Sequence, residues 1–231
     1  MRHFSSRMIT EMEQRTRVRF INSLSGFKSA NLVGTIDKEG NENLSIVSST
    51  FHLGASPALM GMIIRPAKVE RHTLENILQT KSYTLNAVSS DIISAAHQTS
   101  ARYSREISEF DQVGLTPYYS KSRAPFVLES PLKIELSLVS HQTLEVNGTE
   151  MVVGQVEQVI INEGAIMPDG YIDIEALDIA AITGLDSYHV TQRVSRLSYA
   201  KPNSPLHPLT REGEVTSWEA FGLGDLITKS K

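Results

Sequence analysis

Cysteine is absent from the 231 residues, which excludes disulfides, thiolate catalysis and cysteine metal sites together and fits a reducing compartment. No strong charge of one sign is present. The net charge is −4 and the pI is about 6.0, so the chain carries no overall cationic footprint for nucleic acid or an anionic membrane. Long apolar runs are missing too. Nothing approaches the ~18 residues of a membrane span, and MRHFSSRMITEMEQRTRVRF lacks the apolar centre of a signal peptide. A cytoplasmic protein is therefore expected, in which the sequons at Asn43 and Asn147 carry no glycan. The phosphate-loop and dinucleotide glycine fingerprints and the G-x-S-x-G elbow are absent. None of the seven histidines forms a helical ligand pair, which argues against a metal site.

What is present is a series of short apolar runs. ANLVGTI and LSIVSST, separated by DKEGNEN, read as a hairpin, and ALMGMIIRP as a third strand ended by Pro66. SYTLNAV, LKIELSLVS and MVVGQVEQVII supply further strands, the last two separated by a polar excursion over 140–150. The first three follow too closely for parallel crossovers, which need about a dozen residues or more. Helical patterns are fewer. TEMEQRTRVRFINSLSGF predicts one amphipathic helix, with a capping box from Thr10 and Glu13 and a buried face through Met12, Ile21 and Leu24. HTLENILQT buries Leu74, Ile77 and Leu78; SDIISAAHQ is capped at Ser90 or Asp91, and DIEALDIAAITGL is also expected to be helical. Residues 100–130 read as a helical turn and a surface loop. The class is mainly β with peripheral helices, a barrel with helical decoration. We divide it as 1–27, an N-terminal helical extension, 28–190, the barrel domain, and 191–231, a C-terminal tail.

Two stretches carry chemistry. Arg65, Lys68 and Arg71 fall within seven residues of an otherwise acidic chain, and His72 and Thr73 then open a helix. Helix N-termini attract phosphate, and guanidinium and hydroxyl groups suit its oxygens. The same residues would also serve as a solvated loop before a capped helix. Upstream, Ser45, Ser48, Ser49 and Thr50 place hydroxyls where a buried strand normally places bulk. Small residues let a flat ring approach the backbone; a polar strand end at the surface is the other reading.

In order along the chain, NLVGTIDKEGNENLSIVSSTF, PALMGMIIRP (57–66), HTLENI (72–77), YTLNAV (83–88), EFDQVGLTP (109–117) and VGQV (153–156) resemble the flavin reductase-like, FMN-binding split-barrel family over roughly residues 28–190. The resemblance implies a split β-barrel holding FMN. It places Asn43, Ser45, Ser48, Ser49 and Thr50 along the flavin, and Arg65, Arg71, His72 and Thr73 at the ribityl phosphate, with Lys68 in the same loop. TGLDSY (183–188) is similar to a late family element near the cofactor. A homodimer bordering both flavins is implied as well. This sequence departs from the family pattern with Ile46 for a proline, His72 for an aspartate, Ala181 or Ile182 for an arginine, and Thr149 near the place of a histidine that seats nicotinamide. The implied activity is hydride transfer from NAD(P)H to flavin. A non-enzymatic FMN electron carrier is the alternative, followed by a binder of another flat phosphorylated ligand such as pyridoxal phosphate, and by a ligand-free interaction barrel.

Overall fold

The computed structural model describes residues 1–66 and 70–218; Lys68 and the end of the tail lie outside them. Two helices come first, α1 (Ser6–Glu11) and α2 (Gln14–Ser23). The strands β1 (Lys28–Ser29), β2 (Asn31–Ile36), β3 (Glu42–Val47), β4 (Thr50–Ala55) and β5 (Ala58–Ile64) lead to α3 (His72–Thr80) and β6 (Ser82–Ala87). A 3₁₀ turn precedes α4 (Ile93–Gln98), and α5 (Glu109–Val113) is followed by the short pair β7 (Pro117–Tyr118) and β8 (Phe126–Val127). The long hairpin β9 (Leu132–Leu144) and β10 (Thr149–Ile161) comes next, then β11 (Ala180–Thr183), β12 (Ser187–Val190), β13 (Arg196–Leu197) and β14 (Pro208–Leu209).

Seven strands form one antiparallel sheet in the order β3-β2-β6-β9-β10-β5-β4. Its two edge strands are consecutive in the chain, joined only by Ser48 and Ser49. The sheet therefore curls back on itself without a β3–β4 ladder, a barrel left open along one seam. A side chain bridges that seam, Asn31 Nδ2 of β2 donating to Thr50 Oγ1 of β4 at 2.9 Å, and the connecting turn is held by a backbone bond from the Ile63 N–H of β5 to the Ser49 carbonyl at 3.0 Å.

Strand alternation sorts the apolar residues into two layers. Val33, Met62, Tyr83, Leu85, Leu136 and Val152 point inward and meet Leu74 and Ile77 of α3. Their neighbours Leu32 and Leu44 point outward to Val88, Ala96, Phe110, Val127 and Ile182, beneath α4 and α5. The barrel thus has an inner core and a second core between its wall and the helices, and α3 and α5 approach the same strand, β3, from different sides.

Several sequence expectations need correction. The single N-terminal helix is two, because Met12 and Glu13 adopt extended ψ angles of 144° and 140°. The Thr10–Glu13 capping box does not form. Glu13 itself caps α2, accepting from Thr16 N at 2.9 Å, while Thr10 Oγ1 turns back to the Ser6 carbonyl. Neither helix buries a residue, and Ile21 and Leu24 are 45% and 64% exposed. An amphipathic stripe specifies a face but not what covers it. DIEALDIAAITGL is not helical. Asp173 closes a turn on the Ala176 N–H, and Ala180–Thr183 pairs with both β1 and β12, so a ladder to residues some 150 positions away overrides local propensity. A further strand, β4, lies between the second and third apolar runs, and Ser48 and Ser49 are its entry turn. The polar excursion over 140–150 is the continuation of the β9–β10 hairpin, turned by Gly148 at φ 70°. Within 100–130, Phe126 and Val127 are fully buried rather than part of a surface loop.

Close packing appears at Gly34 of β2, where an added Cβ would lie 2.1 Å from the Pro125 carbonyl oxygen and 2.6 Å from Thr84 Oγ1. These atoms are themselves hydrogen-bonded at 2.6 Å, so neither yields easily. Gly34→Ala is expected to lower the unfolding free energy by about 1–3 kcal/mol, the usual cost of overpacking. Urea denaturation checks this, and unchanged stability would refute the close approach.

Candidate functional site

A cavity of about 880 Å³ opens beside β3, bounded by β5, the start of α3, the segment after α4, and the β11–β12 hairpin. Its lowest layer is a chain of hydrogen bonds. The Glu109 carboxylate, 5% exposed at the start of α5, accepts from the Leu44 N–H at 2.9 Å and from Asn43 Nδ2 at 2.9 and 3.0 Å. Asn43 Oδ1 accepts from Thr73 Oγ1 at 2.8 Å, and Thr73 Oγ1 contacts Ser45 Oγ at 2.8 Å. With the Thr73 proton given to Asn43, Ser45 is the donor in the last link. Burial pushes the Glu109 carboxyl upward, opposed by its bonds from Leu44 and Asn43. Alternating side chains of β3 are thereby fastened to α5 below and to α3 alongside.

The α3 N-terminus faces the same space. Arg71 occupies the cap position without a side-chain cap bond, although its own N–H reaches Glu75 Oε1 at 3.1 Å. The first amides of this helix are thus left for another acceptor. Around it stand Arg65, Arg71 and Arg102. Burial, then Arg65, then Arg102 hold the Arg71 guanidinium below its ordinary value. Among the described residues none of the three is paired with a carboxylate, and Arg71 Nε is buried with no hydrogen-bond partner. His72 Nε2 is similar. It lies 3.5 Å from Glu70 Oε2, but the geometry makes no hydrogen bond and we count it as unsatisfied. Arg105, by contrast, is spent on structure, bound to Glu75 and to Asn76 Oδ1.

Of the residues predicted from sequence, Asn43, Ser45, Ser48, Ser49, Arg65, Arg71, His72 and Thr73 converge on this one cavity. Thr50 does not. It lies at the seam, bonded to Ser29 and Asn31, and faces a smaller hollow shared with Ile21 and Phe51. Lys68 falls outside the described residues. Within the cavity the roles divide: the side chains of Asn43 and Thr73 are occupied with each other, whereas the guanidinium groups are not. Sequence reasoning did not single out Arg102 or His97, and it reached Asp186 and Tyr188 only through TGLDSY (183–188), the stretch similar to a family element near the cofactor. Arg102 stands alone in a loop with no spacing signal, and the other three come from segments remote from β3.

Residues 25–175, well over half of the chain, match the model described as "Flavin reductase like domain". The chain belongs to that family. A crystal structure of a putative flavin reductase with a split barrel domain from Shewanella frigidimarina NCIMB 400 is 56% identical and superposes with a TM-score of 0.84, covering 87% of this chain and 100% of that one. Nitrilotriacetate monooxygenase component B from Bacillus cereus shares the fold at 19% identity and a TM-score of 0.73, covering 84% of this chain and 96% of its own. So does an FMN-binding protein from Thermus thermophilus, at 18% identity and a TM-score of 0.64 over 82% and 95%. The split barrel, open along the β3–β4 seam, is the fold of this flavin reductase-like chain.

Glu109→Gln tests the lowest layer. A glutamine amide turns one acceptor oxygen into a donor facing either Leu44 N or Asn43 Nδ2. An unfolding free energy reduced by about 1–3 kcal/mol is expected from the unmet buried donor, read by thermal or urea denaturation. A variant as stable as the parent would show that the carboxylate does not hold β3.

Proposed function

We propose that the cavity binds FMN and that the protein is an NAD(P)H:flavin oxidoreductase. The observation that carries this is the set of three unpaired guanidinium groups around an uncapped helix N-terminus, next to a strand whose small residues leave room for a flat ring. Fixed donors with no acceptor suit a phosphate dianion, because their desolvation has already been met in folding. Arg65, Arg71, Arg102 and the first amides of α3 would hold the phosphate, and the backbone of 45–49 with Ser48 and Ser49 would flank the ring. Asn43 and Thr73 would shape the wall from behind. The residues present fit the cofactor. Bound flavin supplies reversible two-electron chemistry, taking hydride from a pyridine nucleotide and passing electrons to an acceptor. The chain's part is to bind, orient and exclude water, and no side chain is assigned as a general acid or base.

A homodimer belongs to this reading. Among the described residues strand β4 pairs only with β5; its Phe51 and Leu53 are exposed, and Phe51 shares the small hollow with Ile21 of α2, itself exposed. A free strand edge and an apolar rim favour a second copy, joined about a two-fold axis. The small hollow there shares Ser48, Ser49 and Ile63 with the cavity, so the partner would border the flavin. We place the protein in the cytoplasm, consistent with the lack of cysteine; among the described residues no helix is long and apolar enough to cross a membrane.

Three measurements follow. Arg71→Ala and Arg102→Ala should each weaken FMN by about ten- to a hundredfold, the size of a charge-assisted hydrogen bond, and riboflavin far less, because only FMN carries the phosphate. Arg105→Ala should leave the FMN-to-riboflavin ratio unchanged. Equal losses for both ligands would place the phosphate elsewhere. NADH or NADPH added to the FMN-loaded protein should bleach the visible flavin band; bound flavin that stays oxidised would leave an electron carrier in place of the reductase. Leu53→Asp should shift the protein from dimer to monomer in light scattering, and a monomeric parent would remove the dimer.

A further inference from the structure

We propose that His97 and Tyr188 seat the carboxamide of the pyridine nucleotide, and that Asp186 rejects the corresponding carboxylate. The inference rests on the flavin reductase reading above. His97 comes from the end of α4 and Tyr188 from β12, 91 positions apart, yet His97 Nδ1 lies 3.0 Å from the Tyr188 hydroxyl. The rings meet edge to face at 80° with centroids 5.8 Å apart. Both line the 880 Å³ cavity together with Asp186. That volume is near the top of the ~300–1,000 Å³ range of small-molecule sites, so the space is ample for a second flat ring.

The pair has unspent hydrogen-bonding capacity. A neutral imidazole carries one N–H and one acceptor nitrogen. If Nδ1 accepts the phenol proton, Nε2–H remains as a donor. If Nδ1–H donates instead, the phenol O–H remains. Neither Nε2 nor the Tyr188 hydroxyl has another partner among the described residues. In both tautomers the pair presents one donor and at least one acceptor lone pair. A primary carboxamide is complementary, accepting at its oxygen and donating from its nitrogen. An anionic group is not. Asp186 lines the same cavity two positions before Tyr188, and a carboxylate there disfavours a second one on the ligand; burial first, and the Asp186 charge after it, raise the Tyr188 hydroxyl's pKa.

This seat is separate from the β9–β10 hairpin, where Thr149 stands near the place of the nicotinamide-seating histidine expected from the resemblance. The neighbouring His141 is bound to Glu150 at 2.8 Å.

The test measures binding to FMN-loaded protein, using NAD⁺ or NADP⁺, whichever binds more tightly, and its nicotinic acid counterpart. Tyr188→Phe and His97→Ala should each weaken the amide dinucleotide by about two- to tenfold, the size of one neutral hydrogen bond. The double variant should be no worse than the poorer single one, because the two groups act as a unit. His97→Gln, which can still bond the phenol, should recover part of the loss. Asp186→Asn should narrow the preference for amide over acid by about threefold or more. FMN affinity, measured separately, should stay within about twofold in all of these, less than one hydrogen bond. Tyr188→Phe weakening FMN as much as the dinucleotide would overturn the inference, as would FMN-loaded protein that binds neither dinucleotide. Both results would leave the flavin reading standing, whereas failure to bind FMN at all would remove that reading too.

Discussion

The Glu109 carboxylate beneath β3 is the contact on which the rest of the site depends. A carboxylate taken from water carries a large desolvation cost unless its oxygens are hydrogen-bonded. Here the donors are the Leu44 amide and the Asn43 side chain. The bond set fixes an edge strand that has a ladder on only one side, and through Asn43 and Thr73 it fixes where α3 begins. An edge strand left to itself frays or slips register. Held from below and from the side, β3 becomes a rigid wall.

That rigidity decides which groups remain available. The hydroxyl of Thr73 and the amide of Asn43 are consumed inside the protein, so they position other groups. The guanidinium groups of Arg65, Arg71 and Arg102 are arranged around the same wall without acceptors among the described residues. Mutual repulsion among them costs stability in the ligand-free protein, and an anion removes that cost. Such preorganised charge turns unfavourable folding electrostatics into affinity. Arg105, only a few residues from Arg102, is neutralised by Glu75 and helps to hold α3 instead.

The open seam matters for a related reason. A closed barrel would have filled the space between β3 and β4 with ladder bonds. Turning the chain at Ser48 and Ser49 leaves small residues lining the cavity on one side and the α2 hollow on the other. The β11–β12 hairpin then closes the far wall, bringing Tyr188 to His97.

Much of this was legible in the residues. The β2–β3 hairpin, the apolar run of β5, the start of α3 and the cluster Arg65, Arg71, His72, Thr73 are local patterns of period, charge and capping, and local patterns survive folding. Residue pattern alone specifies the strand-rich class, the basic helix start and the hydroxyl-rich stretch beside it. It did not separate one N-terminal helix from two, because Glu13 reads equally as the end of one capping box or the cap of the next helix. It did not bring Arg102 or His97 to the site, since nothing in their spacing relates them to β3, and it reached Glu109 and Tyr188 only as members of motifs known by resemblance, without roles. Which polar groups are spent on one another, and which stay available, is set by folding. Hydrogen-bond satisfaction is settled between residues tens of positions apart, after the sheet has closed around them.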